Sequence, residues 1–161
     1  MKSDHAKKIL AQPSDLISWL KQTARPLVFT NGCFDLLHRG HITYLEEAAA
    51  LGDRLIVALN SDDSVRRLNK GPERPLNSLE DRMAVIAALH CVDAVCSFDT
   101  DTPLDLITQI CPDHLVKGGD WPVEAIVGYE LVTAQGGQTH SLTFKHPNST
   151  TKLVNKILTS G

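Results

Sequence analysis

No stretch of the 161-residue chain comes near the roughly 18 consecutive apolar residues that a membrane span requires; the run at 55–59 is a typical maximum before a polar break. The first dozen residues, MKSDHAKKILAQ, carry charge but no apolar signal core, so no secretory leader is expected. Neither sign of charge dominates: 16 Lys and Arg stand against 19 Asp and Glu, a net charge of −3, with a pI near 6.1. That balance argues against a dedicated nucleic-acid binder and against a polybasic membrane protein. Cysteine is scarce too. Cys33, Cys91, Cys96 and Cys111 form no C-x-x-C pair and fit no standard zinc spacing. They read as reduced thiols, mostly in the core. Neither G-x-G-x-x-G nor G-x-x-x-x-G-K occurs, which removes the dinucleotide fingerprint and the P-loop. Repeats, low-complexity segments and composition breaks are absent as well. What is present is one ordinary domain's worth of chain, 42% apolar and 22% charged. One soluble, cytoplasmic domain is the expectation.

Short β-rich runs alternate with helical stretches. Residues 26–30 (PLVFT), 54–59 (RLIVAL), 94–98 (AVCSF), 114–117 (HLVK) and 139–144 (THSLTF) read as strands, most of them bounded by turn residues. Apolar residues at three- and four-residue spacing predict helices over 42–51 and 79–89, the second with Met83, Ile86, Ala87 and Leu89 on one face and an N-cap at Ser78. Further helices are expected over 14–22, 104–110, 125–135 and 149–158. Such alternation implies an α/β fold: a single Rossmann-like, doubly wound domain with a parallel sheet of about five strands and helices on both faces. It is expected to span 25–161, behind an N-terminal helical extension over 1–24. In open sheets of this kind ligands bind at the carboxyl ends of the strands. The polar insertion 69–77 (NKGPERPLN) reads as a mobile or functional loop.

The loop after the first strand, TNGCFDLLHRGH over 30–41, concentrates unusual residues. Asn31-Gly32 is expected to end the strand in a tight turn. His38 and His41 flank Arg39-Gly40 where a helix begins, and unpaired N–H groups there suit an anionic phosphate. Two imidazoles add donors that can follow developing charge, and Gly40 removes a side chain from the approach. The same pair also fits helix-capping or core histidines; as metal ligands they lack a third His, Cys or carboxylate at helical spacing.

Other strand ends agree. Ser149-Thr150-Thr151-Lys152 opens the last helix, where hydroxyls and free amides form a second anion site or simply cap the helix. Lys117-Gly118-Gly119-Asp120-Trp121 closes the fourth strand, offering a lysine point charge and exposed backbone. Asn60-Ser61-Asp62 fits either a polar substrate or an ordinary turn. Lys70 either folds over a phosphate or is solvated. Trp121 either stacks on a base or shields its loop, and Arg74 and Arg82 are surface charges or phosphate ligands; periodicity does not choose.

The H-x-G-H element in TNGCFDLLHRGH and the later S-T-T resemble the signatures of the nucleotidylyltransferase superfamily. Over 26–158 the chain is similar to the bacterial heptose 1-phosphate adenylyltransferases. The segments that carry this are TNGCFDLLHRGHITYLEEAAALGDRLIVALNSDDSVRRL, RPLNSLEDRMAVIAAL, DTPLDLI, LVKGGDW, IVG and GG. The resemblance implies transfer of AMP from ATP to D-glycero-β-D-manno-heptose 1-phosphate, for the lipopolysaccharide inner core, with the partner kinase on a separate chain. Glycerol 3-phosphate cytidylyltransferase is the competing relative, and a catalytically silent nucleotide-binding protein is the competing class. The cytidylyltransferase pattern has an arginine shortly before S-T-T, where this chain has Phe144-Lys145-His146-Pro147-Asn148, and a G-D-D-W-like turn.

Residues and resemblance together nominate His38, His41 and Lys117 as catalytic. Thr30, Asn31, Gly32, Cys33, Phe34, Gly40, Gly118, Asp120, Ser149, Thr150 and Thr151 are expected to meet nucleotide and phosphate. Asp35, Asn60, Asp62 and Lys70 are expected to meet the acceptor. The Cys33 thiol itself is given a packing role. The acceptor phosphate is already ionised at pH 7, so the histidines are assigned to transition-state stabilisation and not to proton abstraction. Mg²⁺ is expected on the triphosphate, held mostly by phosphates and water rather than by protein ligands. A homo-oligomer, a dimer in the first instance, is expected, with no nucleic-acid or membrane partner.

Overall fold

The computed structural model describes residues 4–146 and 149–159. Five strands, β1 (Leu27–Gly32), β2 (Arg54–Asn60), β3 (Ala94–Phe98), β4 (His114–Gly118) and β5 (Gln138–Leu142), form one sheet in the order β3-β2-β1-β4-β5. Every pairing is parallel. Around them lie α1 (Pro13–Gln22), α2 (Arg39–Ala49), α3 (Asp62–Arg67), α4 (Leu79–Ala87), α5 (Leu104–Ile110), α6 (Tyr129–Ala134) and α7 (Thr150–Thr159).

Strand alternation sends side chains to two apolar layers. Leu27, Phe29, Ile56, Ala58 and Leu115 meet Leu16 of α1, Ile107 and Ile110 of α5, and Val132 of α6. Val28, Leu55, Val57, Leu59 and Val116 meet Tyr44, Leu45 and Ala48 of α2 and Met83, Ile86 and Ala87 of α4. The doubly wound expectation is therefore met, with helices on both faces. The strand order reverses between β1 and β4, so their carboxyl ends open the crevice in which such sheets bind ligands. Among the described residues no helix is long and apolar enough to cross a membrane.

The N-terminal stretch joins the same body. A 3₁₀ turn over Asp4–Lys8 leads to an Ile9–Val95 bridge on the edge strand β3, and Leu10 and Leu16 enter the core. Pairing along β3 protects an otherwise open sheet edge.

Several boundaries differ from the sequence reading. Asn31 and Gly32 belong to β1, paired with Ala58 and Leu59, so the turn falls two residues beyond Gly32, at Phe34 with φ 47°. The helix expected over 125–135 is a 3₁₀ turn, Val123–Ala125, followed by α6, because Gly128 at φ 95° interrupts it. The sequence reading assigns no helix to α3, and takes only Asn60-Ser61-Asp62 as a substrate contact or an ordinary turn. Its signal was local: Ser61 Oγ accepts from Ser64 N at 3.0 Å, two acids follow in the first turn, and Arg66 and Arg67 close the last. The expected mostly buried thiols also need correction: Cys96 alone is buried, and Cys33, Cys91 and Cys111 are half-buried.

Arg82, on α4, is 1% exposed and ties together three segments at the strand ends. Its Nη1 donates to Cys33 O at 2.7 Å, its Nε to Asn77 O at 3.1 Å, and its Nη2 pairs with Asp62 Oδ1 at 2.7 Å. It is thus neither a surface charge nor placed against a ligand. Arg82→Ala removes three hydrogen bonds to part-buried acceptors and the packing of a fully buried side chain, and should cost about 3 kcal/mol in a urea unfolding titration. Arg66→Ala removes only the exposed Asp63 pair and should stay within about 0.5 kcal/mol.

Candidate active site

Two adjoining chambers open at the carboxyl end of the sheet, sharing Cys33 and Lys70 on their common wall. The first holds His38, His41, Arg74 and the Ser149-Thr150-Thr151 run. The second holds Lys117, Asn31, Gly32 and Asn60 beneath a more apolar rim.

The histidines of the first chamber sit where α2 begins. His38 is the N-cap residue, and its backbone N–H donates to His41 Nδ1 at 3.4 Å. Using Nδ1 as acceptor leaves the neutral ring's proton on Nε2, the atom left to donate to a ligand. The two rings stack at 3.9 Å, and Phe34 meets His41 edge-on at 5.4 Å. Gly40 makes the stack possible, since a Cβ there would lie 3.0 Å from the His38 ring. Burial, with repulsion from His38 and Lys70, pushes His41 down to about 4; burial lowers His38 as well. His38 Nδ1 is buried without a hydrogen-bond partner. At neutral pH both rings are therefore uncharged donors crowded by positive charge, a setting that an incoming anion relieves.

The start of α7 faces the same chamber. Ser149 Oγ caps it by accepting from Lys152 N at 3.1 Å, and Thr150 Oγ1 donates to Leu36 O at 3.1 Å, tying this helix to the loop after β1. Capping and anion binding are compatible here, because further amides of the first turn remain for a ligand. In the second chamber Lys117 is lowered by burial and by repulsion from Lys70, opposed by Cys33. Lys70 Nζ lies 3.6 Å from the Cys33 thiol, so this thiol stands at the junction of the chambers and not in the packed interior assigned to it.

Several nominated residues are placed differently. Thr30 is fully buried, its Oγ1 2.5 Å from Tyr44 Oη, so its hydroxyl serves packing and not a nucleotide. The Asp35 side chain has no exposed surface. It accepts from Arg74 Nε at 2.6 Å and from the backbone of Leu76 and Asn77, and so fastens the polar insertion instead of meeting an acceptor. Burial alone would raise its carboxyl, but those donors outweigh it and hold it below the ordinary range. The insertion is therefore anchored over 74–77, which limits the expected mobile part to its first half. Asp62 is engaged by Arg82. Gly118 makes room for Phe144, whose ring a Cβ would approach to 2.6 Å. Gly40, Asp62, Gly118 and Asp120 line neither chamber.

The sequence reading left Arg74 undecided and passed over Leu68, Phe98, Asp101, Thr102 and Ile126, all of which line a chamber. The DTDTP run directly after β3 was the available signal for part of this wall. Of the residues standing where the cytidylyltransferase pattern has its arginine, Lys145 is ion-paired with Glu47; Pro147 and Asn148 lie outside the described residues.

A doubly wound sheet whose reversal point carries an H-x-G-H helix start, a hydroxyl-capped second helix and a buried lysine defines a phosphate-handling α/β domain. The chain belongs to the cytidylyltransferase-like family, whose pattern matches residues 29–153. It is 56% identical over 133 residues to a D-beta-D-heptose 1-phosphate adenylyltransferase of Bordetella bronchiseptica, covering 83% of this chain and 82% of that protein. It is 58% identical over 135 residues to the bifunctional protein HldE of Pseudomonas syringae pv. syringae, covering 84% of this chain but 28% of that protein. Among solved structures, the lipopolysaccharide core biosynthesis protein from Thermoplasma volcanium matches with a TM-score of 0.61 at 27% identity, covering 76% of this chain and 98% of that one. A pantoate-beta-alanine ligase from Francisella tularensis shares the fold, with a TM-score of 0.64 at 16% identity, covering 92% of this chain and 77% of that one.

The depressed His41 predicts a pH effect with a definite sign. Between about 4 and 6.5 the unfolded chain takes up a proton that the folded chain refuses. The His41 contribution to stability is therefore fully present above 6.5 and is lost as pH falls toward 4. His41→Gln should flatten that part of a plot of melting temperature against pH.

Proposed function

We propose that this protein is an adenylyltransferase that moves AMP from ATP to D-glycero-β-D-manno-heptose 1-phosphate, giving ADP-heptose and pyrophosphate for the lipopolysaccharide inner core. The observation that carries this reading is the 56% identity to the Bordetella heptose 1-phosphate adenylyltransferase over more than four-fifths of both chains.

In the reaction an acceptor phosphate oxygen bonds to the α-phosphorus while the bond to the oxygen bridging the β-phosphorus breaks, and pyrophosphate departs with that electron pair. No proton needs to move, because the attacking oxygen is already ionised. In-line displacement sets attacking and leaving groups on opposite sides of the α-phosphorus. Two chambers meeting at Cys33 and Lys70 suit that requirement. The chamber of His38, His41 and the Ser149-Thr150-Thr151 run takes the triphosphate. The chamber of Lys117 and Asn60 takes the acceptor phosphate, and Lys70 faces both.

The donors act by being fixed in advance. His41 gives its Nε2 proton as a hydrogen bond to oxygens whose charge grows, while Lys117 holds the acceptor dianion against the repulsion of ATP. Mg²⁺ on the triphosphate would supply charge neutralisation. Among the described residues no group of three or more His, Cys, Asp or Glu is arranged to hold a metal, and Asp35 is committed to Arg74.

Pyrophosphate release, with ATP and CTP crossed against heptose 1-phosphate and glycerol 3-phosphate, tests the reading. Release with ATP and the heptose phosphate is expected; release with CTP and glycerol phosphate would overturn the substrate assignment, and silence in all four would overturn the activity. His41→Ala should lower kcat on the order of 10²–10³-fold with little change in melting temperature at pH 7.5. A variant within about threefold of the parent would remove His41 from the transition state.

A further inference from the structure

The acceptor chamber has an uneven lining. Its lining includes the half-buried Lys117, the buried Asn60 and the exposed Lys70, Asp101 and Thr102, and its exposed rim carries Trp121, Leu68 and Val127. These three rim side chains are 53%, 42% and 40% exposed, an unusual amount of apolar surface at one cavity mouth.

Trp121 is nevertheless held firmly. Its backbone N–H donates to Ser141 Oγ at 3.1 Å, Ser141 Oγ donates to Gly119 O at 2.9 Å, and the indole Nε1 donates to Gly118 O at 3.2 Å. Gly119 adopts φ 119°, and a Cβ there would lie 2.7 Å from Nε1, so the loop is shaped around the indole. The N–H edge is satisfied by the protein's own carbonyl. What remains open is the ring itself, which needs an apolar partner and no further hydrogen bond.

We infer that Trp121 is a specificity-determining residue for the acceptor, its ring receiving the C–H surface of the sugar whose phosphate lies at Lys117. This rests on the acceptor assignment made above. A sugar phosphate matches this mixed lining: anion against Lys117, hydroxyls against the exposed Asp101 and Thr102, and carbon skeleton against the indole. A nucleoside in this chamber would instead place an uncharged base and ribose beside the chamber's lysines. It would also leave the attacking phosphate no chamber opposite the leaving group.

The test is a split of kinetic constants. Trp121→Ala should raise KM for heptose 1-phosphate about tenfold, the scale of one lost aromatic contact, while KM for ATP stays unchanged; Trp121→Phe should restore most of the loss. An unmoved acceptor KM, or a rise confined to ATP, overturns the inference. A second measurement needs no change at the site. The chain has two tryptophans, and Trp19 packs against the core away from the chambers. In a Trp19→Phe background, saturating heptose 1-phosphate should shift Trp121 emission, whereas inorganic phosphate should not. Emission that answers ATP alone places the base on the ring and refutes the proposal. If the unaltered protein releases pyrophosphate with ATP and the heptose phosphate but neither measurement moves, the inference fails while the functional reading stands. If it releases none with any acceptor, the functional reading itself fails.

Discussion

A guanidinium with almost no exposed surface holds together the end of the molecule that handles ligands. Arg82 reaches from α4 to the carbonyls of Cys33 and Asn77 and to the carboxylate of Asp62. Those contacts bind the loop after β1, the end of the polar insertion and the start of α3 into one piece. Asp35 performs the complementary task from the other side, accepting from Arg74, Leu76 and Asn77. A buried ion pair adds little net stability over well-packed apolar groups, but three directed hydrogen bonds from one guanidinium to three separate segments permit few alternative arrangements. Cys33, where the two chambers meet, is thereby fixed in position, as are the neighbouring groups proposed to flank the reacting phosphorus.

The electrostatics follow from that rigidity. The chain as a whole is slightly acidic, yet His38, His41, Lys70 and Lys117 converge on neighbouring chambers. Burial and mutual repulsion depress His41 and Lys117. With the two imidazoles neutral, the unfavourable repulsion is that between Lys70 and Lys117, which an anion beside them relieves. The chambers thus concentrate positive and hydrogen-bond-donating groups in a slightly acidic chain, which is what the proposed phosphate ligands require.

Much of the architecture was legible in the chain. The cores of all five strands fall within or beside the runs chosen for them; for β1, β2 and β3 this is because strands buried on both faces read as compact apolar segments. The Ser78 cap of α4 was legible because it is decided within a few residues, with Ser78 Oγ accepting from Asp81 N at 3.2 Å. Elements decided by a single backbone angle were less so. The break at Gly128 and the turn at Phe34 depend on φ values that residue type only permits.

Local sequence alone thus determined the alternation of strands and helices, the caps, and the nomination of His38, His41, Lys117 and the Ser149-Thr150-Thr151 run, since each depends on neighbours along the chain. Tertiary structure decided which polar residues remained available to a ligand. Thr30, Asp35 and Asp62 look as suitable on paper as His38 and Lys117, but their partners Tyr44, Arg74 and Arg82 lie 14, 39 and 20 residues away. Trp121 became interpretable only when Gly118 and Ser141 were seen to satisfy its polar edges. A side chain's hydrogen-bonding capacity is set by its type, whereas whether that capacity is already used depends on contacts between distant segments of the chain.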